Sequence, residues 1–287
     1  MWKARIDYGR SYWLEAAYGK VTLSTKMPTL RLPYALLHHL AHTIHLVVSL
    51  EEDVEKRVDR LAGTLGGRGF EKSLLIIAEH KYKASIEDAF RVNLDWLELE
   101  YRDGRLRVSI DREKAAAALT GLGSYNWPMG VPWPTLIPKT REGELRAFLH
   151  TYCDTPWMRD MVEARKFLGL GAVDESRVRR LEELIGCSVE LSSWGVTARK
   201  YKSLEVCPMN PLVFVTLPFM HYARYPPHNL LLLVEDPTLH LNTEMTEALA
   251  DILAALVEKG AGVVLWGEGA ERLFKMLRER GVEYILA

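Results

Sequence analysis

The chain has 287 residues, 48% of them apolar, with 37 Lys and Arg against 38 Asp and Glu and a formal net charge of −1. This near-neutral balance argues against a polybasic coat for nucleic acid, while leaving a local basic patch open; the length and apolar share suit one α/β domain that carries a lobe or insertion. No apolar run approaches the roughly 20 residues that cross a bilayer, and the stretch Met1 to Asp7 has no apolar leader core, so a cytoplasmic protein without membrane contact is expected.

In chain order, residues 12–18 and 20–24 read as strands around a Tyr18-Gly19 turn. Residues 34–62 read as one long helix, with Leu37, Leu40, Ala41, Ile44 and Val48 on one face and a charged second half from Glu51 to Arg60. The glycine-rich run Gly63 to Gly69 ends it as a loop. This run follows a helix and precedes an apparent strand, whereas phosphate-binding loops pass from strand to helix. Residues 70–110 read as β-rich, and Leu97, Leu99, Tyr101 and then Leu106, Val108, Ile110 alternate with polar residues around Asp103-Gly104, a hairpin with one wet face. Four prolines from Pro128 to Pro138 make residues 121–140 a loop, whose Trp127 and Trp133 serve equally well as a docking surface or as buried packing.

Residues 142–185 are charged and helical with a break at Gly169-Leu170-Gly171, and 187–206 read as a second hairpin around Trp194-Gly195. A helix (212–224), an all-apolar strand (230–234), a helix (243–259), a strand (263–266), a helix (270–280) and a closing strand (282–286) follow. Strands without polar alternation, spaced by helices, imply a parallel sheet buried on both faces.

The run Leu231 to Asn242, LLLVEDPTLHLN, resembles the Walker B strand and D-loop of ABC-type ATPases of the SMC and DNA-repair superfamily. The resemblance implies an α/β fold: a P-loop NTPase-like ABC ATPase head with a mostly parallel sheet, an antiparallel β lobe and a helical insertion. It would make 1–287 a single head-like domain, with 70–140 the β-rich lobe and loop, 142–185 the helical insertion and 187–287 the C-terminal α/β lobe. It also sets the strand of residues 20–24 beside that of 230–234.

In that family the first carboxylate is Asp, which supports the metal, and the second is Glu, which activates the attacking water. Here the pair is inverted to Glu235-Asp236, which leaves the second side chain one methylene short, and a misplacement of roughly 1 Å can cost about a hundredfold in rate. Other motifs have decayed too. Val263 to Gly269 stands where the family has its switch histidine and holds none. Leu204 to Pro211 stands at the place of the signature motif, with Pro208 and Pro211 unable to donate an N–H. Where the phosphate loop should read GxxxxGK[ST], residues 24–30 read STKMPTL, without a glycine to let the backbone approach phosphate.

The resemblance therefore implies a non-hydrolysing pseudo-ATPase that binds or scaffolds other proteins. No catalytic residue is expected, Glu235 and Asp236 being vestigial, and no cofactor; were ATP bound, Lys26, Thr29, Glu235 and Asp236 would hold it. The family dimerises head to head, and here His38, His42 and His45, on one helix face, and the apolar segment Phe214 to Tyr225 are the candidates for such a contact. The alternatives are a slow or atypical ATPase and a DNA-repair or chromosome accessory subunit.

The three histidines could also ligate a metal, but no carboxylate or Cys joins them and no metal is expected. Cys153, Cys187 and Cys207 form no CxxC pair, which suggests neither a zinc knuckle nor a disulfide framework. The absence of Gln and the presence of five Asn point to a thermophilic source. In size, composition and the lack of a phosphate loop, though in no motif, the chain is also similar to the archaeal arcadins, accessory proteins of the actin-like crenactin cytoskeleton, which implies an actin-like filament as partner.

Overall fold

The computed structural model describes residues 1–81, 89–120, 127–139, 161, 163, 171–192, 195–203, 205, 207 and 211–287. The fold is mixed α/β, with one antiparallel and one parallel five-stranded sheet. Strands β1 (Lys3–Tyr8) and β2 (Tyr12–Ala17) pair with each other and then with β4 (Phe90–Leu94), β5 (Leu97–Arg102) and β6 (Arg105–Ile110), in the order β2-β1-β4-β5-β6. Alternation decides which face is wet: Ala4, Ile6, Leu14, Val92 and Leu99 are buried, while Arg5, Arg91 and Glu98 lie on the opposite face, where Arg91 pairs with Glu98 at 2.6 Å. The β5–β6 turn, Asp103-Gly104, takes the left-handed φ values of +53° and +72° that a two-residue hairpin needs.

The second sheet is parallel throughout. It runs β12-β3-β11-β10-β7, built from β3 (Val21–Leu23), β7 (Trp133–Ile137), β10 (Leu230–Glu235), β11 (Gly262–Trp266) and β12 (Tyr284–Leu286). Numbered along the chain, these five strands lie in the order 5-1-4-3-2. Every residue of β10 and β7 is buried, as expected of strands covered on both faces. Helix α1 (Arg31–Ser49) packs on β7, and α8 (Ala270–Glu279) on β3 and β11. Helix α7 (Thr243–Glu258) packs against α8, α6 (Pro211–Arg224) and α5 (Glu175–Ile185).

Several sequence expectations need correction. The strand from the first 25 residues is not beside β10: β3 pairs with β11 and β12, and β11 separates it from β10. The single helix of 34–62 is two, α1 and α2 (Val54–Leu65), because the Asp53 side chain accepts the Lys56 N–H and starts a new helix. The glycine run does not lead to a strand. It leads to α3 (Arg68–Ile76) and a π-helical turn, Ile77–Lys81. Phe70, Leu74 and Ala78, spaced by four, bury one helical face there. After α4 (Arg112–Thr120), the proline-rich loop contains a strand, β7; it tolerates Pro134 because it is the last strand of its sheet, where a proline nitrogen can face away from the ladder.

The antiparallel sheet also draws on residues 3–17, so the β lobe is not confined to 70–140. Of the helical insertion, α5 and a few residues are described; the rest of 142–185, like most of the signature-motif stretch 204–211, lies outside the described residues. The hairpin β8 (Cys187–Ser192) and β9 (Gly195–Lys200) brings two cysteines together that sequence spacing keeps apart. Cys187 and Cys207 form a disulfide with Cα atoms 5.9 Å apart, against the expectation of none, because Cys207 returns alongside β9 through its N–H to Ala198 O. Among the described residues no helix is long and apolar enough to cross a membrane.

Candidate functional site

The carboxyl ends of β3, β11, β10 and β7 share one edge of the parallel sheet. The connection after β3 passes through α1 toward β7, whereas that after β11 passes through α8 to β12 on the other side. Open α/β sheets bind ligands at such an edge, where neighbouring connections diverge.

Glu235 ends β10 and is 2% exposed. A carboxylate so deeply buried is costly unless donors surround it. The Thr29 hydroxyl donates to its Oε1 at 3.0 Å and the Leu30 N–H to the same oxygen at 3.2 Å, while the Lys139 N–H, just past β7, donates to Oε2 at 3.3 Å. Leu30 is the N-cap of α1 and its side chain offers no acceptor, while the neighbouring Thr29 hydroxyl oxygen accepts the Arg31 N–H at 3.2 Å. Glu235 thus holds the entry to α1, with its charge near the positive end of the helix dipole.

Asp236 turns the other way. Its φ is +45°, its N–H donates to Trp266 O at 2.9 Å, and its Oδ1 accepts the Glu268 N–H at 2.7 Å. Gly267 follows β11 with φ +88°, and a Cβ there would lie 2.1 Å from Asp236 Oδ1. The turn after β11, from Trp266 to Gly269, is therefore shaped around Asp236.

The β3–α1 loop is held at several points. Ser24 N–H donates to Leu265 O at 2.9 Å, Thr25 N–H and hydroxyl both donate to Ala287 O, and the Trp266 indole N–H donates to Met27 O at 2.8 Å. Lys26 is exposed. Of the four residues named as an ATP set, the structure joins Thr29 with Glu235, commits Asp236 to the β11–α8 turn and leaves Lys26 at the surface. These residues do not fit a triphosphate. The loop has no glycine, Pro28 has no N–H, and the Leu30 amide just before α1 already serves a carboxylate that would repel phosphate.

Of the two segments proposed for an inter-head contact, α6 is buried within the chain and the histidines of α1 are half-buried against neighbouring rings. His42 lies 5.6 Å from the Trp127 ring and 5.7 Å from Trp133, and His45 stacks on Trp127 at 5.0 Å, both indoles being 1% exposed. The Trp pair was thus packing, and the histidines form its partner seam on α1. Helix α6 is buried from Val213 to Ala223, with the Tyr222 hydroxyl 2.6 Å from that of Thr135 on β7. Among the described residues no group of three His, Cys, Asp or Glu is placed to hold a metal ion.

Sequence reasoning missed Lys139 and Trp266, which act through a backbone N–H and an indole N–H. It also missed Asn229, 2% exposed, whose side-chain amide donates to Pro128 O and Met129 O at 3.0 and 3.1 Å and ties the start of β10 to the segment before β7.

No family model matches the chain, and no curated protein matches it in sequence. Among solved structures, it is similar to the SMC head domain from Thermotoga maritima at 12% identity and a TM-score of 0.41, over 99% of this chain and 92% of that one. It is also similar to an SMC head bound to the C-winged helix domain of ScpA, at 12% identity and a TM-score of 0.39, over 96% and 91% of the two chains.

Proposed function

We propose that the chain is a pseudo-ATPase: a head-like α/β protein that binds or scaffolds protein partners and does not hydrolyse ATP. The observation that carries this is the Glu235 carboxylate seated on Thr29, Leu30 and Lys139, at the start of the helix after the first parallel strand, where an anion would otherwise meet the Leu30 and Lys139 amides. The motif losses read from the sequence support it, as does the engagement of Asp236 by Glu268 N–H, which takes the second carboxylate away from any water-activating role.

The partner we favour is an actin-like filament system, on the likeness to arcadins, with a chromosome or DNA-repair role as the competing assignment. A thermal shift with Mg-ATP tests the first half. A ligand that binds only the native state raises the melting temperature, so an unchanged melting point in millimolar Mg-ATP, with no phosphate release, is the expected result; a rise or measurable turnover overturns it. Co-sedimentation with actin-like filaments tests the second half. Failure to pellet at saturating filament, with retention on DNA that weakens with salt, would assign the protein to the chromosome instead.

A further inference from the structure

We infer that Glu235 is a resident anion: it permanently fills a latent oxyanion site at the N-terminus of α1, and so fixes without any ligand the joint that links β10, the end of β7 and the β3–α1 loop. This rests on the reading that no nucleotide occupies this edge. Three donors from two separate segments converge on one carboxylate, two on Oε1 and one on Oε2. Two of the three are backbone N–H groups, which remain in place when the Glu235 side chain is removed. The N-cap side chain of α1 is leucine and no acidic residue lies in its first turn, so the local cap is the neutral Thr29 hydroxyl, whose oxygen accepts the Arg31 N–H at 3.2 Å. The negative charge at this helix start comes from a strand end 205 residues further along the chain.

The ligand class that such a set of donors would accept in place of Glu235 is a small tetrahedral oxyanion. In the native protein Coulomb repulsion from the buried carboxylate excludes it. The joint is therefore always closed, which suits a scaffold whose shape must not follow a nucleotide cycle.

The test uses inorganic phosphate against chloride at matched ionic strength, with melting temperature and calorimetric binding as readouts. The native protein should melt at the same temperature in both salts. Glu235→Ala should melt lower in chloride and be raised by phosphate, with an affinity for it at least about tenfold above the native protein's. Adding Thr29→Ala to Glu235→Ala should reduce that gain. Should Glu235→Ala not fold, amide exchange in the native protein carries the test.

A folded variant blind to phosphate, or a native protein that responds as strongly as the variant, overturns the inference. A second readout needs no substitution. In ligand-free native protein the Leu30 and Lys139 amides should exchange slowly with solvent, and exchange at open-loop rates would also overturn it. Binding of Mg-ATP to the native protein would instead sink the pseudo-ATPase reading itself. Phosphate-blind variants beside an ATP-blind native protein would remove this inference alone.

Discussion

Two identical substitutions, Gly267→Ala and Gly281→Ala, isolate what the turn after β11 contributes. Both glycines have left-handed φ, +88° and +78°, so alanine carries the same backbone strain of roughly 1–2 kcal/mol in either place. It also gains about 0.4–1 kcal/mol from a stiffer unfolded chain. At Gly281 nothing lies within 4 Å of the new Cβ, and the net loss should stay near about 1 kcal/mol. At Gly267 the new Cβ would meet Asp236 Oδ1 at 2.1 Å, and that oxygen accepts the Glu268 N–H at 2.7 Å. The carboxylate must move, and a hydrogen bond to a charged group is worth about 1.5–3 kcal/mol. Gly267→Ala should therefore cost about 1.5–3 kcal/mol more than Gly281→Ala, or roughly 3–12 °C in melting temperature for a chain of this size. Denaturant unfolding of the two variants side by side measures the difference. Equal losses would show that Asp236 is not packed against the turn as described.

Two further outcomes bear on the periphery of the sheet. Asp174 caps α5: its carboxylate accepts the Ser176 N–H at 2.9 Å, and this bond, with the Ser176 hydroxyl, holds its pKa below the ordinary 3.8. A lowered folded value means stability that is present above the unfolded value and lost as pH falls through the folded one, so the advantage of native protein over Asp174→Ala should be constant down to about pH 5 and vanish in stronger acid. An advantage that persists at the lowest pH would refute the cap. The Cys187–Cys207 disulfide closes a loop of sequence separation 20, so reduction, or Cys207→Ser, should lower stability by about 3 kcal/mol; equal melting of oxidised and reduced protein would show that the hairpin does not depend on the bond.

Much of the parallel sheet was legible because its strands carry their environment in their own residues. Leu230 to Val234 and Gly262 to Leu265 are continuous apolar runs, and such runs suit only strands buried on both faces. Asp103-Gly104 declared its hairpin for a similar reason, the turn needing positive φ at both positions. The segment around Ser73 to Ala78 misled because a short apolar run has no period that separates strand from helix. What decided for helix was which face Phe70, Leu74 and Ala78 bury against the neighbouring elements. The site was half legible: the acidic pair and the missing glycine stood in the sequence, but not the direction in which each carboxylate points.

The sequence by itself determined where the backbone is extended or helical over most of the parallel-sheet half, where an acidic pair ends a buried strand, and that the loop after β3 lacks the residues to wrap a phosphate. Those properties depend on neighbours two to four positions apart. Only the tertiary structure decided that β11 stands between β3 and β10, that His42 and His45 of α1 face a pair of indoles, and that Glu235 anchors the start of a helix 205 residues away. A buried charge must find donors wherever the packed chain brings them, and backbone N–H groups such as those of Leu30 and Lys139 are supplied by nearly every residue type, so no side chain announces them in advance.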